Sequence, residues 1–172
     1  MRRIAAAVEL KPTGPEGGMT LEEAVKLGLG YYEQGRDAEA ADVFGKIAAR
    51  VPAYPLSWCI LARIALRQNR PDVALGHARR AIELRADFAE AHEAMGHALR
   101  ALGRGREALD SYREAVRGKP DDPGALVNLG NAEFYFARNA AGAVEAYHKA
   151  LALAPESAST LCNLGAALRV MR

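Results

Sequence analysis

The apolar positions of this chain fall into a repeating register rather than one continuous run. Leu27, Leu61, Met95, Leu129 and Leu164 recur at steps of 34, 34, 34 and 35 residues. Each is followed by a small residue: Gly28, Ala62, Gly96, Gly130 and Gly165. A column of alanines, Ala40, Ala74, Ala108 and Ala143, keeps the same steps, with the extra residue again before its last member. Polar breaks separate the blocks, among them Gly35-Arg36-Asp37 and Gly103-Arg104-Gly105-Arg106, together with Pro52, Pro120 and Pro155. A period near 34 marks a stacked repeat protein built from one helical hairpin used several times. The pattern predicts helices over 21–34, 38–50, 55–68, 71–84, 89–102, 106–118, 123–137, 141–153 and 158–171.

Local signals set the ends of these helices. Thr20 followed by Glu23 reads as a capping box. Asp122-Pro123 supplies an N-cap with proline at the first helical position, Pro71 opens a helix in the same way, and Ser157 is expected to cap the last one. The extra residue of the final step belongs in the 137–142 turn, where an insertion disturbs packing least. Two helices approach to about 8 Å only where their crossing lacks bulk. The glycine/alanine and alanine columns meet that need. Residues 1–19 depart from the period and are expected to be a flexible N-terminal segment. Residues 11–18 have linker composition, and 4–10 could form one or two helical turns, too few to stand alone.

With repeats set at 21–54, 55–88, 89–122 and 123–157, the sequence resembles the tetratricopeptide repeat (TPR) family. That family places a large apolar residue at position 4, Leu at 7, Gly or Ala at 8 and an aromatic at 11. Ala at 20, an aromatic at 24, Ala at 27 and Pro at 32 complete it. Repeat one matches with Leu27, Gly28, Tyr31, Ala40, Phe44 and Pro52; repeat three with Met95, Gly96, Ala108, Tyr112, Ala115 and Pro120. Repeat four matches with Leu126, Leu129, Gly130, Ala143, Tyr147, Ala150 and Pro155 but has Glu133 at the first aromatic position. Repeat two keeps Trp58, Leu61, Ala62, Ala74 and Ala81 and loses both aromatics to Ala65 and Ala78. The resemblance implies an all-α fold over 20–172: a right-handed α-solenoid of four full repeats plus one extra C-terminal helix, 158–171.

Composition narrows the functional classes. Half the residues are hydrophobic but only 6% aromatic, which suits closely packed, alanine-rich helices. Lys and Arg total 23 against 21 for Asp and Glu, a net charge of +2 without a concentrated basic run, so nucleic acid is not the expected partner. Cys59 and Cys162 stand three repeat steps apart and are not expected to pair, which fits a reducing compartment. No apolar run has the length of a membrane span, and the stretch after Arg2 and Arg3 is too short for a signal peptide. The expected location is cytoplasmic, with no membrane partner.

Candidate chemistry is sparse. His92 and His97 imitate a zinc-protease helix but are five residues apart, about 140° around a helix, so they do not share a face. The 103–106 stretch lacks the preceding strand and the Lys-Ser/Thr ending of a phosphate loop and reads as a hairpin turn. No nucleophile–base constellation can be assembled. The chain is therefore expected to be non-catalytic, with no cofactor and no metal.

The resemblance to TPR proteins implies that first helices line a concave groove through positions 2, 5, 9, 12 and 13. On this chain the groove candidates are Tyr32, Arg63, Arg67, His97, Arg100, Asn131 and Phe134, with Asn128 and Asn163 beside them at position 6. The arginines and His97 make the middle of that wall basic. The asparagines resemble those that hold a peptide backbone in the O-linked N-acetylglucosamine transferase family; a carboxamide donates and accepts at once. The chaperone-tail pattern, by contrast, is not met by Val25, Leu29, Cys59 and Arg63, and Glu90 opposes it. The expected function is a protein-interaction scaffold binding a peptide or partner helix. The alternative is the N-terminal, substrate-presenting TPR portion of a larger enzyme such as a glycosyltransferase or sulfotransferase. Leu161, Leu164, Leu168 and Val170 on the last helix suggest self-association, through that helix or the N-terminal segment.

Overall fold

A computed structural model describes residues 19–172, so the expectations for residues 1–18, including the helical turns at 4–10, lie outside the described residues. The described residues form nine helices: α1 Leu21–Glu33, α2 Asp37–Arg50, α3 Pro55–Arg67, α4 Pro71–Leu84, α5 Ala89–Ala101, α6 Gly105–Gly118, α7 Pro123–Tyr135, α8 Ala140–Leu153 and α9 Ala158–Val170. Each end falls within two residues of its sequence expectation. The helices pair as hairpins α1–α2, α3–α4, α5–α6 and α7–α8, each stacked on the next, with α9 against α8.

Turn chemistry explains the punctuation. The first three hairpins turn through a residue with left-handed backbone, Gly35 (φ 73°), Asn69 (φ 56°) and Gly103 (φ 74°). The fourth uses Arg138 (φ 55°) in a turn lengthened by one residue, at 136–139. Glu133 anchors this longer turn. Its backbone carbonyl accepts from the Asn139 N–H at 2.9 Å, and its Oε2 accepts from Asn139 Nδ2 at 3.1 Å. Its Oε1 accepts from Arg113 Nη2 at 2.9 Å, across to α6. Glu133 is buried, so the aromatic missing from this position is replaced by a carboxylate with all its partners in place. Glu133→Ala should cost about 1–3 kcal/mol by removing its hydrogen bonds to Asn139 and to the charged Arg113. A urea unfolding midpoint equal to that of the unmodified chain would show that the turn does not depend on it.

Packing assigns the glycine column a sharper role than helix approach. A Cβ added at Gly96 would sit 2.6 Å from the Tyr112 ring, and one at Gly130 would sit 2.5 Å from the Tyr147 ring. Gly28 meets Phe44 in the same way. The ring of each second helix lies directly over the small residue of the first. Where that ring is absent, at Ala78, the first helix carries Ala62 instead. The position-20 alanines, Ala40, Ala74, Ala108 and Ala143, are completely buried at the crossings.

Two of the expected caps form through side chains. Thr20 Oγ1 accepts from the Glu23 N–H at 3.2 Å while Glu23 Oε2 accepts from the Thr20 N–H at 2.8 Å. Asp122 Oδ1 accepts from the N–H groups of Gly124 and Ala125. Ser157 does not cap α9. Its hydroxyl instead pairs with that of Thr160 at 2.7 Å, because Thr160 is buried and its hydroxyl needs a partner.

Candidate partner-binding site

Two pairs of first helices on neighbouring repeats touch, α3 with α5 and α7 with α9. These contacts put first helices side by side, on the face that the repeat register assigns to the inner wall. α5 and α7 make little contact, and a hollow of about 570 Å³ lies on this stretch of wall. Arg100 of α5 and Tyr112 of α6 line one side of it; Asn128, Asn131, Ala132 and Tyr135 of α7 line the other. Phe136 and Asn163 of α9 complete the lining.

The sequence-predicted residues separate into two groups. Tyr32, Arg63 and Arg67 form a clasp between the first two repeats. Tyr32 is buried, with the Arg67 guanidinium carbon 3.8 Å and that of Arg63 5.6 Å from its ring centre. Arg67 also donates to the Tyr32 carbonyl at 3.1 Å and pairs with Asp37 Oδ1 at 2.8 Å. Charge and ring face are thus turned toward each other rather than outward. The sequence-based picture of a basic mid-groove changes accordingly, since Arg67 meets Asp37 and Arg63 lies near Glu93.

Arg100, Asn128, Asn131 and Asn163 form the second group, together at the hollow. His97 and Phe134 stand at its border. His97 Nδ1 is 3.0 Å from the Tyr112 hydroxyl, and its Nε2 is 3.7 Å from Glu93 Oε1. Phe134 is half-buried against the cluster of Tyr147 and Leu164 and meets Tyr135 edge-on.

The asparagines are already connected. Asn128 Nδ2 donates to Glu93 Oε1 of the preceding repeat at 3.0 Å. Asn131 Oδ1 accepts from Tyr147 Oη at 2.8 Å and from Asn163 Nδ2 at 3.1 Å. These bonds run between helices, so they orient the carboxamides before any partner arrives. Chiefly through the His97 ring beside it, the Glu93 carboxyl is held below the usual carboxylate range. Burial pushes the Tyr112 phenol up to about 12 against the opposing influence of Arg100, which keeps it neutral beside that guanidinium at physiological pH.

Of the lining residues, Tyr112, Ala132 and Phe136 lay outside the sequence-predicted wall, whereas Tyr135 stands at a predicted wall position. Tyr112 reads as pure packing because it occupies the second aromatic column, yet its hydroxyl reaches the wall. Phe136 stands in the lengthened turn, which no repeat register describes; its ring covers Gly105, where a Cβ would be 2.5 Å away. Tyr135 sits at position 13, an inner-wall position by the repeat register, and is 66% exposed. Cys59, at wall position 5, is instead buried beneath Phe88 and Ala91, and burial pushes its thiol up to about 12. His92 is buried and hydrogen-bonds the Ala86 carbonyl at 2.8 Å, so the two histidines of α5 have separate partners. No described helix is long and apolar enough to cross a membrane.

Comparison with known proteins agrees with the repeat register. The family model described as tetratricopeptide repeat matches residues 25–87, 60–123 and 93–158. The chain is 28% identical over 121 residues to DnaJ homolog subfamily C member 3 of Rattus norvegicus, covering 69% of this chain and 24% of that protein. It therefore spans about a quarter of that relative's length. The solved structure of Pseudomonas aeruginosa PilF superposes with a TM-score of 0.77 at 24% identity, covering 88% of this chain and 68% of that one. YrrB, described as a TPR protein with an unusual peptide-binding site, gives 0.66 at 24% identity, covering 81% and 71%. Three overlapping family matches spanning residues 25–158, on a fold whose glycine–ring pairs repeat with the same period, place this chain in the tetratricopeptide repeat family.

Proposed function

We propose that this chain is a non-catalytic interaction scaffold that holds an extended segment of a partner protein along the inner wall of α5, α7 and α9. The observation that carries this reading is the hollow lined by three asparagines whose carboxamides are held by neighbouring helices. Preoriented amides bind a peptide backbone without losing further side-chain freedom. The peptide-binding description of YrrB, a protein of the same fold, is in keeping with it. A protein partner fits better than nucleic acid, because Arg67, Arg113 and Lys119 are already paired with carboxylates. Pull-down with the wild-type chain and with the Asn131→Ala/Asn163→Ala variant tests the reading. The double variant should lose the captured protein while remaining helical by circular dichroism. Equal capture by both would move the binding site elsewhere.

A second reading concerns α9, whose Leu161 (51% exposed) and Leu168 (42%) stand open. Gly165, unlike its counterparts Gly96 and Gly130, has no ring over it. On this reading a second copy of the chain covers that face. Light scattering should show mass rising with concentration, and Leu161→Glu/Leu168→Glu should hold the chain monomeric. A concentration-independent monomer before substitution rules out the second copy.

A further inference from the structure

The hollow between α5 and α7 carries a charge that nothing in its own wall answers. Arg100 is the single ionic side chain among its lining residues, which include no carboxylate. Elsewhere, Arg67 meets Asp37, Arg63 faces the Tyr32 ring and lies near Glu93, and His97 faces Glu93. Arg100 is exposed, is paired with no carboxylate among the described residues, and has the neutral Tyr112 hydroxyl as its polar neighbour. A guanidinium held at a concave surface beside neutral groups favours an anion.

The carboxamides say what kind of molecule bears that anion. Asn128 and Asn163 each donate one amide hydrogen to a neighbour, while their Oδ1 atoms accept no hydrogen bond among the described residues. Asn131 has the opposite polarity: its Oδ1 already accepts two hydrogen bonds, leaving its Nδ2 group to donate. The wall therefore presents acceptors and donors together, the complement of successive peptide groups. A terminal carboxylate seated among the carboxamides offers acceptors alone, whereas a main chain that runs through them brings N–H groups to Oδ1 of Asn128 and Asn163. Tyr135 and Phe136 add an aromatic surface next to these polar groups.

Resting on the scaffold reading above, we propose that the hollow is selective for an internal, extended peptide segment bearing one Asp or Glu. The acidic side chain pairs with Arg100, the segment's main chain bonds to Asn128, Asn131 and Asn163, and a neighbouring large apolar side chain lies on Tyr135 and Phe136. The acidic residue sets specificity; the carboxamides are indifferent to sequence.

The test uses the full chain and an eight-residue random library displayed between two fixed flanks, so that no free terminus is offered. Selected peptides are then synthesised with both ends blocked and titrated by fluorescence anisotropy. Enrichment of Asp or Glu beside an aromatic or large aliphatic residue is expected. Changing that acid to its amide should weaken binding about tenfold or more, as loss of a hydrogen bond to a charged group does. Arg100→Gln should abolish the difference between the acidic and amide peptides, and Arg100→Glu should reverse it toward a lysine-bearing analogue. Peptides without acidic enrichment, an acid-to-amide ratio unchanged in Arg100→Gln, or binding that requires a free C-terminal carboxylate would each overturn the proposal. If selected peptides respond to Asn131→Ala/Asn163→Ala but not to Arg100→Gln, the scaffold reading stands and the acidic selectivity falls. If no peptide is selected, or neither variant matters, both fall.

Discussion

Tyr112→Ala is expected to destabilise the chain by about 3–5 kcal/mol, the usual cost of removing a fully packed aromatic ring. The ring is 2% exposed, lies directly over Gly96, and ends in a hydroxyl that reaches His97. Its removal leaves a cavity against a glycine, which has no side chain to fill it. Gly96→Ala alone should also destabilise, by about 1–3 kcal/mol, because the new Cβ would stand 2.6 Å from a ring carbon. Made together, the two substitutions recreate the Ala62/Ala78 pairing that repeat two already uses. The double variant should therefore be less unstable than the sum of the singles by about 0.5–3 kcal/mol. Urea unfolding of the four proteins measures this coupling. Strictly additive losses would mean that the ring does not determine the glycine.

Tyr135→Ala is expected to weaken partner binding about thirtyfold or more while leaving the melting temperature nearly unchanged. Tyrosine is among the side chains whose truncation at the centre of an interface costs about 2 kcal/mol or more. Tyr135 is largely exposed at the hollow and meets Phe134 only edge-on, so little of the fold depends on it. Arg67→Ala should behave in the opposite manner. It breaks the stack on Tyr32 and the pair with Asp37, lowering stability, but leaves the hollow between α5 and α7 untouched. Calorimetry against the protein recovered by pull-down, with thermal melts of both variants, separates the two roles. Comparable affinity losses from both substitutions would extend the site over the whole inner wall.

The fold was legible because its constraints repeat. A glycine at position 8 is forced by the ring over it, and the same contact recurs at Gly28, Gly96 and Gly130. Turn residues are equally readable, since Gly35 and Gly103 hold left-handed backbone that other residues rarely adopt. The wall was harder to read. Its residue positions follow from the register, but the direction in which a charge is turned depends on neighbours far away in sequence. Arg67 and Arg100 occupy wall positions at near-equal spacing, yet only Arg67 has a carboxylate, Asp37, brought beside it by the first hairpin turn. Glu133 was opaque for the same reason. Its partners Arg113 and Asn139 become evident only once α6 and the lengthened turn are in place.

The central question is which side of the stack holds the partner. Site-specific photocrosslinking is the most direct measurement, with a benzophenone-bearing phenylalanine, which keeps an aromatic ring at the site, replacing Tyr135 on the inner wall or Lys149 on α8. Using the partner recovered by pull-down, a covalent adduct should form from position 135 and diminish when Asn163→Ala is added, with none from position 149. Adducts from position 149 alone, or a position-135 adduct indifferent to Asn163→Ala, would contradict an inner-wall site.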